Sequence, residues 1–302
     1  KNLSDMRTVG WEFNIGWRDR INNVAGSPFD YSIGVGISDY QATITKHDNP
    51  SGLLKDYYVG QKLGEIWGFE TQGFIMDEAE ADEMGVVQKF LSAKWHPGDI
   101  RYRDLDGNGK IDTGMNTLDD PGDRRIIGNS TPRYKFNITG GIGWHGFALD
   151  FMFDGVCKRD VWIGSDLFWG FGRGIYNSCV TQYHIDNSWT EENPNAYFPR
   201  LSNGNGKSQY VQTKYLQNAA FLRLKNLTLS YTLPRKALDK LGIENARIYA
   251  TGMNVFEITG LPPFMTPDIT DNIVDSKEFG SPNAGKEYAF MRSWSFGINV
   301  TF

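Results

Sequence analysis

Seven stretches of this chain alternate apolar and polar residues with period two, and that alternation limits what the chain can become. The C-terminal stretch is the clearest. Phe290, Arg292, Trp294, Phe296, Ile298, Val300 and Phe302 fall on one face, with Met291, Ser293, Ser295, Gly297, Asn299 and Thr301 on the other. Side chains alternate across a β-strand, so this segment has one oily face and one small, polar face. The same pattern predicts strands over about 7–18, 30–44, 134–144, 146–157, 221–233, 246–258 and 289–302. In the first, Val9, Trp11, Phe13, Ile15 and Trp17 alternate with Thr8, Gly10, Glu12, Asn14 and Gly16. Helical periodicity is nearly absent, and the expected fold class is all-β.

Two architectures use such strands. In a sandwich the apolar face packs on a second sheet. In an outer-membrane barrel it meets lipid while the polar face lines a wet lumen. Three features favour the barrel. The strands run about 10 to 14 residues, long for a sandwich and suited to a tilted crossing of a bilayer. Aromatic residues gather near strand ends, among them Trp11, Trp17, Tyr31, Tyr134, Trp144 and Phe302, as interfacial girdles do. The polar faces carry Gly, Ser, Thr, Asn and Asp rather than the Lys and Glu of a solvated surface. The 34 Gly and the 14% aromatic content belong to the same picture. A formal charge of −5 without a basic block argues against nucleic acid as a partner. No stretch approaches 18 apolar residues, which excludes a transmembrane helix.

The connections set direction. Strands 7–18 and 30–44, 134–144 and 146–157, and 221–233 and 246–258 are joined by short segments, whereas 45–133, 158–220 and 259–288 are long. Strict alternation of short and long suits a barrel with short periplasmic turns and three long extracellular loops. Seven strands with two free edges cannot persist alone in hydrocarbon, where unpaired backbone groups are costly. The expectation is therefore a piece of a larger barrel, its other strands upstream of Lys1.

Several segments resemble the C-terminal part of the SusC/RagA-like TonB-dependent outer-membrane transporters. They are GQKLGEIWGF at 60–69, PGDI at 97–100, DLDGNGKID at 104–112, IGNSTPRY at 127–134, YLQNAAFLRLKNL at 215–227 and RSWSFG at 292–297. They occur in order along nearly the whole chain. The resemblance implies a 22-stranded barrel in the bacterial outer membrane, with an N-terminal plug domain that these 302 residues do not contain. It also implies import of oligosaccharides or peptides, driven by the TonB complex, with a SusD-like surface lipoprotein over the external mouth. An aromatic C-terminus, Phe302, suits recognition by machinery that adds strands at an exposed edge; it also serves as a member of the lower girdle.

One ligand motif stands out in the loops. Asp104, Asp106 and Asn108 at positions 1, 3 and 5, the Lys110 carbonyl at 7 and Asp112 at 9, with Gly109 at 6, follow the order of an EF-hand calcium loop. Position 12 is Met115 instead of Glu, so Asp119, Asp120, Asp123 or water would have to complete a Ca²⁺ site of the ~10⁻⁴–10⁻³ M class. The alternative is an Asp/Gly-rich turn held by its own hydrogen bonds. The loop 158–220 is rich in rings. Trp162, Phe168, Trp169 and Tyr176 are candidate contacts for substrate or partner, the alternative being that they pack the loop against itself. Cys157 and Cys179 read as unrelated thiols or, in an oxidising compartment, as a pair.

No catalytic constellation emerges, since His47, His96, His145 and His184 lie on separate loops and turns. Import is the leading functional reading. A secreted, calcium-stabilised β-sandwich for adhesion or glycan binding is the alternative from another class, and an outer-membrane lipid-modifying barrel enzyme is a third. The short–long alternation and the odd strand count favour the first.

Overall fold

The structure is a computed structural model and describes residues 4–170, 180–202, 205–239, 242–270 and 291–302. One antiparallel sheet of seven strands dominates it. The strands are β1 (Ser4–Val24), β2 (Ser27–His47), β3 (Arg133–Trp144), β4 (Phe147–Lys158), β5 (Phe221–Thr232), β6 (Asn245–Thr259) and β7 (Ser293–Thr301). Each pairs with its neighbours in chain order, and no crossover occurs. β1 and β2 are 21 residues each, longer than the alternation predicts. The apolar pattern fades past Trp17 into Arg18, Asp19 and Arg20, yet the backbone ladder continues, because pairing does not need an apolar face. Residues 9–17 alone rise roughly 30 Å, which a tilt of about 40° fits to a lipid-facing band of about 25 Å. The expected start of the last strand, at 289–290, lies outside the described residues.

Two tight turns fix the register. Ala25 and Gly26 join β1 to β2 with φ of 50° and 86°, and His145 and Gly146 join β3 to β4 with 49° and 81°. Two successive positive φ values match the twist of the flanking strands. The β5–β6 connection is longer and holds a helical turn, Arg235–Leu238.

The apolar face meets no second sheet. Phe13 is 53% exposed, Leu229 50% and Phe296 81%, which removes the sandwich architecture for this face. One row on it crosses all seven strands: Trp17, Ile33, Gly140, Phe151, Leu227, Gly252 and Trp294. The Phe151 ring lies across Gly140, where an added Cβ would sit 2.2 Å from Cζ. That overlap explains why Phe151, on the same outward face, is partly buried. No helix of the described residues is long and apolar enough to cross a membrane, and this face supplies the apolar surface instead.

The buried core lies in the long connections, which gather at one end of the sheet. Phe69, Ile75, Ile100, Tyr102, Val161, Phe168, Phe198 and Tyr215 are buried together. Small ribbons frame them: Glu65–Phe69 with Arg124–Asn129, Thr71–Phe74 with Ile100–Tyr102, and Asp160–Val161 with Gln217–Asn218. A helix, Glu78–Val87, begins at Asp77, whose carboxylate accepts from the Glu80 N–H at 2.8 Å. Polar ties cross between the connections. Buried Asp99 accepts from Arg200 Nε at 2.9 Å and Lys207 Nζ at 2.6 Å. Gln212 Nε2 donates to Ser208 O, and its Oε1 accepts from Thr71 Oγ1. The described residues of 45–133, 158–220 and 259–270 thus share a single core and form one cap.

Candidate functional site

The acidic turn at 104–112 is organised by its own carboxylates. Asp104 accepts from the Gly107 N–H at 2.6 Å and the Gly109 N–H at 2.8 Å. Asp106 accepts from the Asn108 N–H, and Asn108 Oδ1 from the Lys110 N–H. The Gly109 amide is the largest influence holding the Asp104 carboxyl below the usual carboxylate range. Oxygens of Asp104, Asp106 and Asp123 lie within 4.8 Å of one another, a grouping able to hold a hard cation. Asp112, expected as a ligand, lies outside this grouping, and its Oδ1 accepts from the Gly114 N–H at 2.7 Å. Asp123, one of three residues named to complete the set, is fully buried and accepts from the Leu105 and Asp112 N–H groups. Burial raises its carboxyl above the ordinary value, and the charges of Asp106 and Asp104 push the same way. The donor set is all oxygen, the chemistry that Ca²⁺ selects.

Three of the four aromatic candidates are buried, as in the alternative where the rings pack the loop against itself. Trp162, Phe168 and Trp169 are 3%, 0% and 4% exposed, inside the cap core. Phe168 packs edge-on against Trp169 and Phe198, and Trp169 against Tyr215 with ring centres 4.8 Å apart. Their faces are taken by other rings, so as placed they serve the cap's interior instead of a partner or substrate. Tyr176 and Cys179 lie outside the described residues, while Cys157 is exposed near the end of β4.

The histidines do local work. His184 is buried, its Nε2 against the Phe168 carbonyl and its Nδ1 against Thr181. His47 lies between Ser4 Oγ at 2.6 Å and Asp56 Oδ1 at 3.0 Å. The Asp56 side chain, however, is half exposed, so the pair lacks the buried orienting acid that nucleophilic catalysis uses.

The inner, polar face of the sheet carries a belt that period-two reading exposes only in part. In register, Asn14 faces Gly36, Gly36 faces Asn137, Asn137 faces Asp154, Asp154 faces Arg223 and Arg223 faces Glu257. Arg223 is buried. It donates from Nε to Glu257 at 2.8 Å and from Nη1 to Asp268 of the cap at 3.1 Å. Lys225 reaches Asp154 at 3.4 Å from a register shift between Leu224 and Asn226. The belt opens on a cavity of about 360 Å³ that Pro132, Arg159, Pro267 and Asp268 border from the cap side. Sequence reasoning missed the Arg223 hub; the signal was an arginine on an otherwise small, polar strand face.

No protein-family model matches the chain. Among curated proteins, TonB-dependent receptor P3 of Formosa agariphila is 24% identical over 318 residues, covering 100% of this chain and 29% of that protein. TonB-dependent receptor SusC of Bacteroides thetaiotaomicron is 24% identical over 279 residues, covering 90% and 25%. Among solved structures, the RagAB peptide importer in its closed-closed state superposes with a TM-score of 0.65 at 20% identity, over 100% of this chain and 30% of that one. The chain therefore spans less than a third of the length of these relatives, and the structural likeness speaks for the fold. Likeness in sequence along the whole chain and in fold makes these residues similar to one stretch of the SusC/RagA-like TonB-dependent receptors, β-barrel proteins of the bacterial outer membrane, and the outer membrane is their location.

Proposed function

We propose that the chain forms part of the wall and extracellular mouth of a TonB-dependent nutrient importer with a 22-stranded barrel. The carrying observation is a sheet with an exposed apolar face, a polar inner face and a folded cap at one end. An apolar exterior needs lipid, and a polar interior under a cap needs a passage to guard. The reading is transport rather than catalysis, with oligosaccharides or peptides as cargo. SusD-like surface lipoproteins and the TonB complex are the partners that the family resemblance supports. Deleting the full-length protein in its host is expected to abolish saturable uptake of that cargo, and a tagged full-length copy should restore it and co-purify a surface lipoprotein. Unchanged uptake after deletion would reject importer function.

The same reading places Ca²⁺ in the acidic turn, held by Asp104, Asp106, Asn108 and the Lys110 carbonyl, with Asp123 in place of the missing acid at position 12. Such an ion would offset three clustered carboxylates and stiffen the cap. With a Kd of about 10⁻⁴–10⁻³ M, roughly 10 mM Ca²⁺ should stabilise the cap by about 1.4–2.7 kcal/mol. Asp104→Ala with Asp106→Ala, and Asp123→Asn alone, should each abolish the difference between calcium and chelator. Asp112→Asn should retain it, because Asp112 lies outside the grouping of Asp104, Asp106 and Asp123. Protease resistance of residues 45–133 with and without chelator is the measurement, and equal resistance in the wild type excludes a structural ion.

A further inference from the structure

We propose that Lys214, in the cap, is an aldehyde-trapping residue, its amine condensing with small aldehydes ahead of the other described lysines. The inference needs only the packing of the cap and does not rest on the importer reading. Lys214 lies in the segment that leads from the bridge at Gln212 to the short ribbon strand Gln217–Asn218. Among the described lysines, Lys207 and Lys214 alone are drawn partly below the surface. Lys207 has a buried carboxylate, Asp99, at 2.6 Å. Lys214 has no carboxylate in ion-pair range among the described residues. Its Nζ lies 4.7 Å from the centre of the Phe74 ring, 5.7 Å from that of Tyr215 and 6.0 Å from that of Tyr197.

The three rings are held independently of the lysine. Phe74 ends the strand Thr71–Phe74, which pairs with Ile100–Tyr102. Tyr215 Oη donates to the Tyr197 carbonyl at 2.8 Å, and Tyr197 Oη accepts from Gln217 Nε2 at 2.9 Å. The lysine backbone is tied as well, its N–H donating to Thr71 Oγ1 at 3.3 Å. The amine is thus kept in an apolar setting, short of the water that an exposed ammonium collects. Ring faces attract a cation, yet they replace hydration only in part. Loss of hydration lowers Lys214 from the ordinary lysine value. The titratable groups around it do not reverse that. Burial raises the Tyr197 and Tyr215 phenols, so both stay neutral in the physiological range. Glu70, the acid just before the Phe74 strand, is engaged by Arg103 at 2.7 Å and Arg125 at 2.8 Å. The neutral amine is the nucleophilic form, because it has a free electron pair. That pair adds to the carbonyl carbon of an aldehyde, and the carbonyl oxygen takes a proton from the nitrogen. The carbinolamine then loses water and leaves a C=N bond. Part of the Lys214 side chain stays open to solvent, which admits a small aldehyde.

The test is reductive labelling of the purified full-length protein in detergent with glycolaldehyde and cyanoborohydride. The reductant delivers hydride to the imine and fixes it as a hydroxyethyl amine. Peptide mass spectrometry over a pH series follows each lysine. Lys214 should label first near neutral pH, and its rate should rise at lower pH than the rates of exposed Lys55 and Lys236. The same protein unfolded in urea should lose the difference. Lys214→Arg should lose the early label while the cap keeps its protease resistance. A Lys214 rate that follows the pH course of Lys236, or stays below it throughout the series, overturns the proposal. Early labelling that persists after unfolding overturns it too, since the packing of the cap would then play no part.

Discussion

Replacing Phe168 by alanine is expected to cost the cap about 3–5 kcal/mol while the seven-strand sheet stays assembled. The ring is fully buried and meets Trp169, Phe198 and Tyr215 with centres 5.2, 5.5 and 6.4 Å away. Truncation to a methyl leaves a cavity lined by rings that have fixed hydrogen bonds and so cannot collapse into it. Trp169 Nε1 is tied to the Ile163 carbonyl and Tyr215 Oη to the Tyr197 carbonyl. The Phe168 carbonyl also receives His184 Nε2, so the helix Gln182–Asp186 should loosen with the ring. The sheet does not share this core, because its own apolar face points away from the cap. Limited proteolysis of the full-length protein should therefore show cleavage within 45–133 and 158–220 at lower temperature, with unchanged heat-modifiable mobility of the barrel. A variant as resistant as the wild type but defective in binding cargo would return Phe168 to the role of a contact residue.

That outcome bears on what the sequence makes legible. Strand faces follow from local alternation, and the rows through Trp17, Phe151 and Trp294 fall where period two puts them. Strand ends do not, since β1 and β2 continue as paired backbone into polar sequence where no side-chain pattern marks a stop. The cap is least legible. Trp162, Phe168 and Trp169 sit in a segment without periodicity, where an exposed binding ring and a buried packing ring look alike. Only the meeting of three distant connections decides between them. In the acidic turn, residues 104–110 show their loop by spacing alone. That Asp123 joins Asp104 and Asp106 while Asp112 does not depends on how the chain returns eleven residues later, with the Asp112 N–H donating to Asp123 itself.

Arg223 shows the same limit on the inner wall and sets the second large effect. Its guanidinium bridges Glu257 on the neighbouring strand and Asp268 of the cap, with side-chain exposures of 6%, 19% and 23%. It also lies over the Phe221 ring. Arg223→Met keeps the volume and removes the charge, leaving two carboxylates facing each other where one cation had served both. Breaking a buried pair in this way costs about 3–5 kcal/mol. Both acids keep partial exposure to solvent, which should hold the result near the lower figure. The loss is expected to appear as earlier release of residues 260–270, because Asp268 ties this stretch to Arg223 of β5. Adding Glu257→Gln and Asp268→Asn to Arg223→Met should recover most of it, since the uncompensated charges are then gone. Thermal unfolding of the full-length protein in detergent, followed by thiol labelling of a Pro263→Cys variant in a Cys157→Ser, Cys179→Ser background, reads both effects. If the single variant melts within about 0.5 kcal/mol of the wild type, the hub is an ordinary solvated surface cluster. If the triple variant is no better than the single one, the arginine acts through packing on Phe221 and not through its charge.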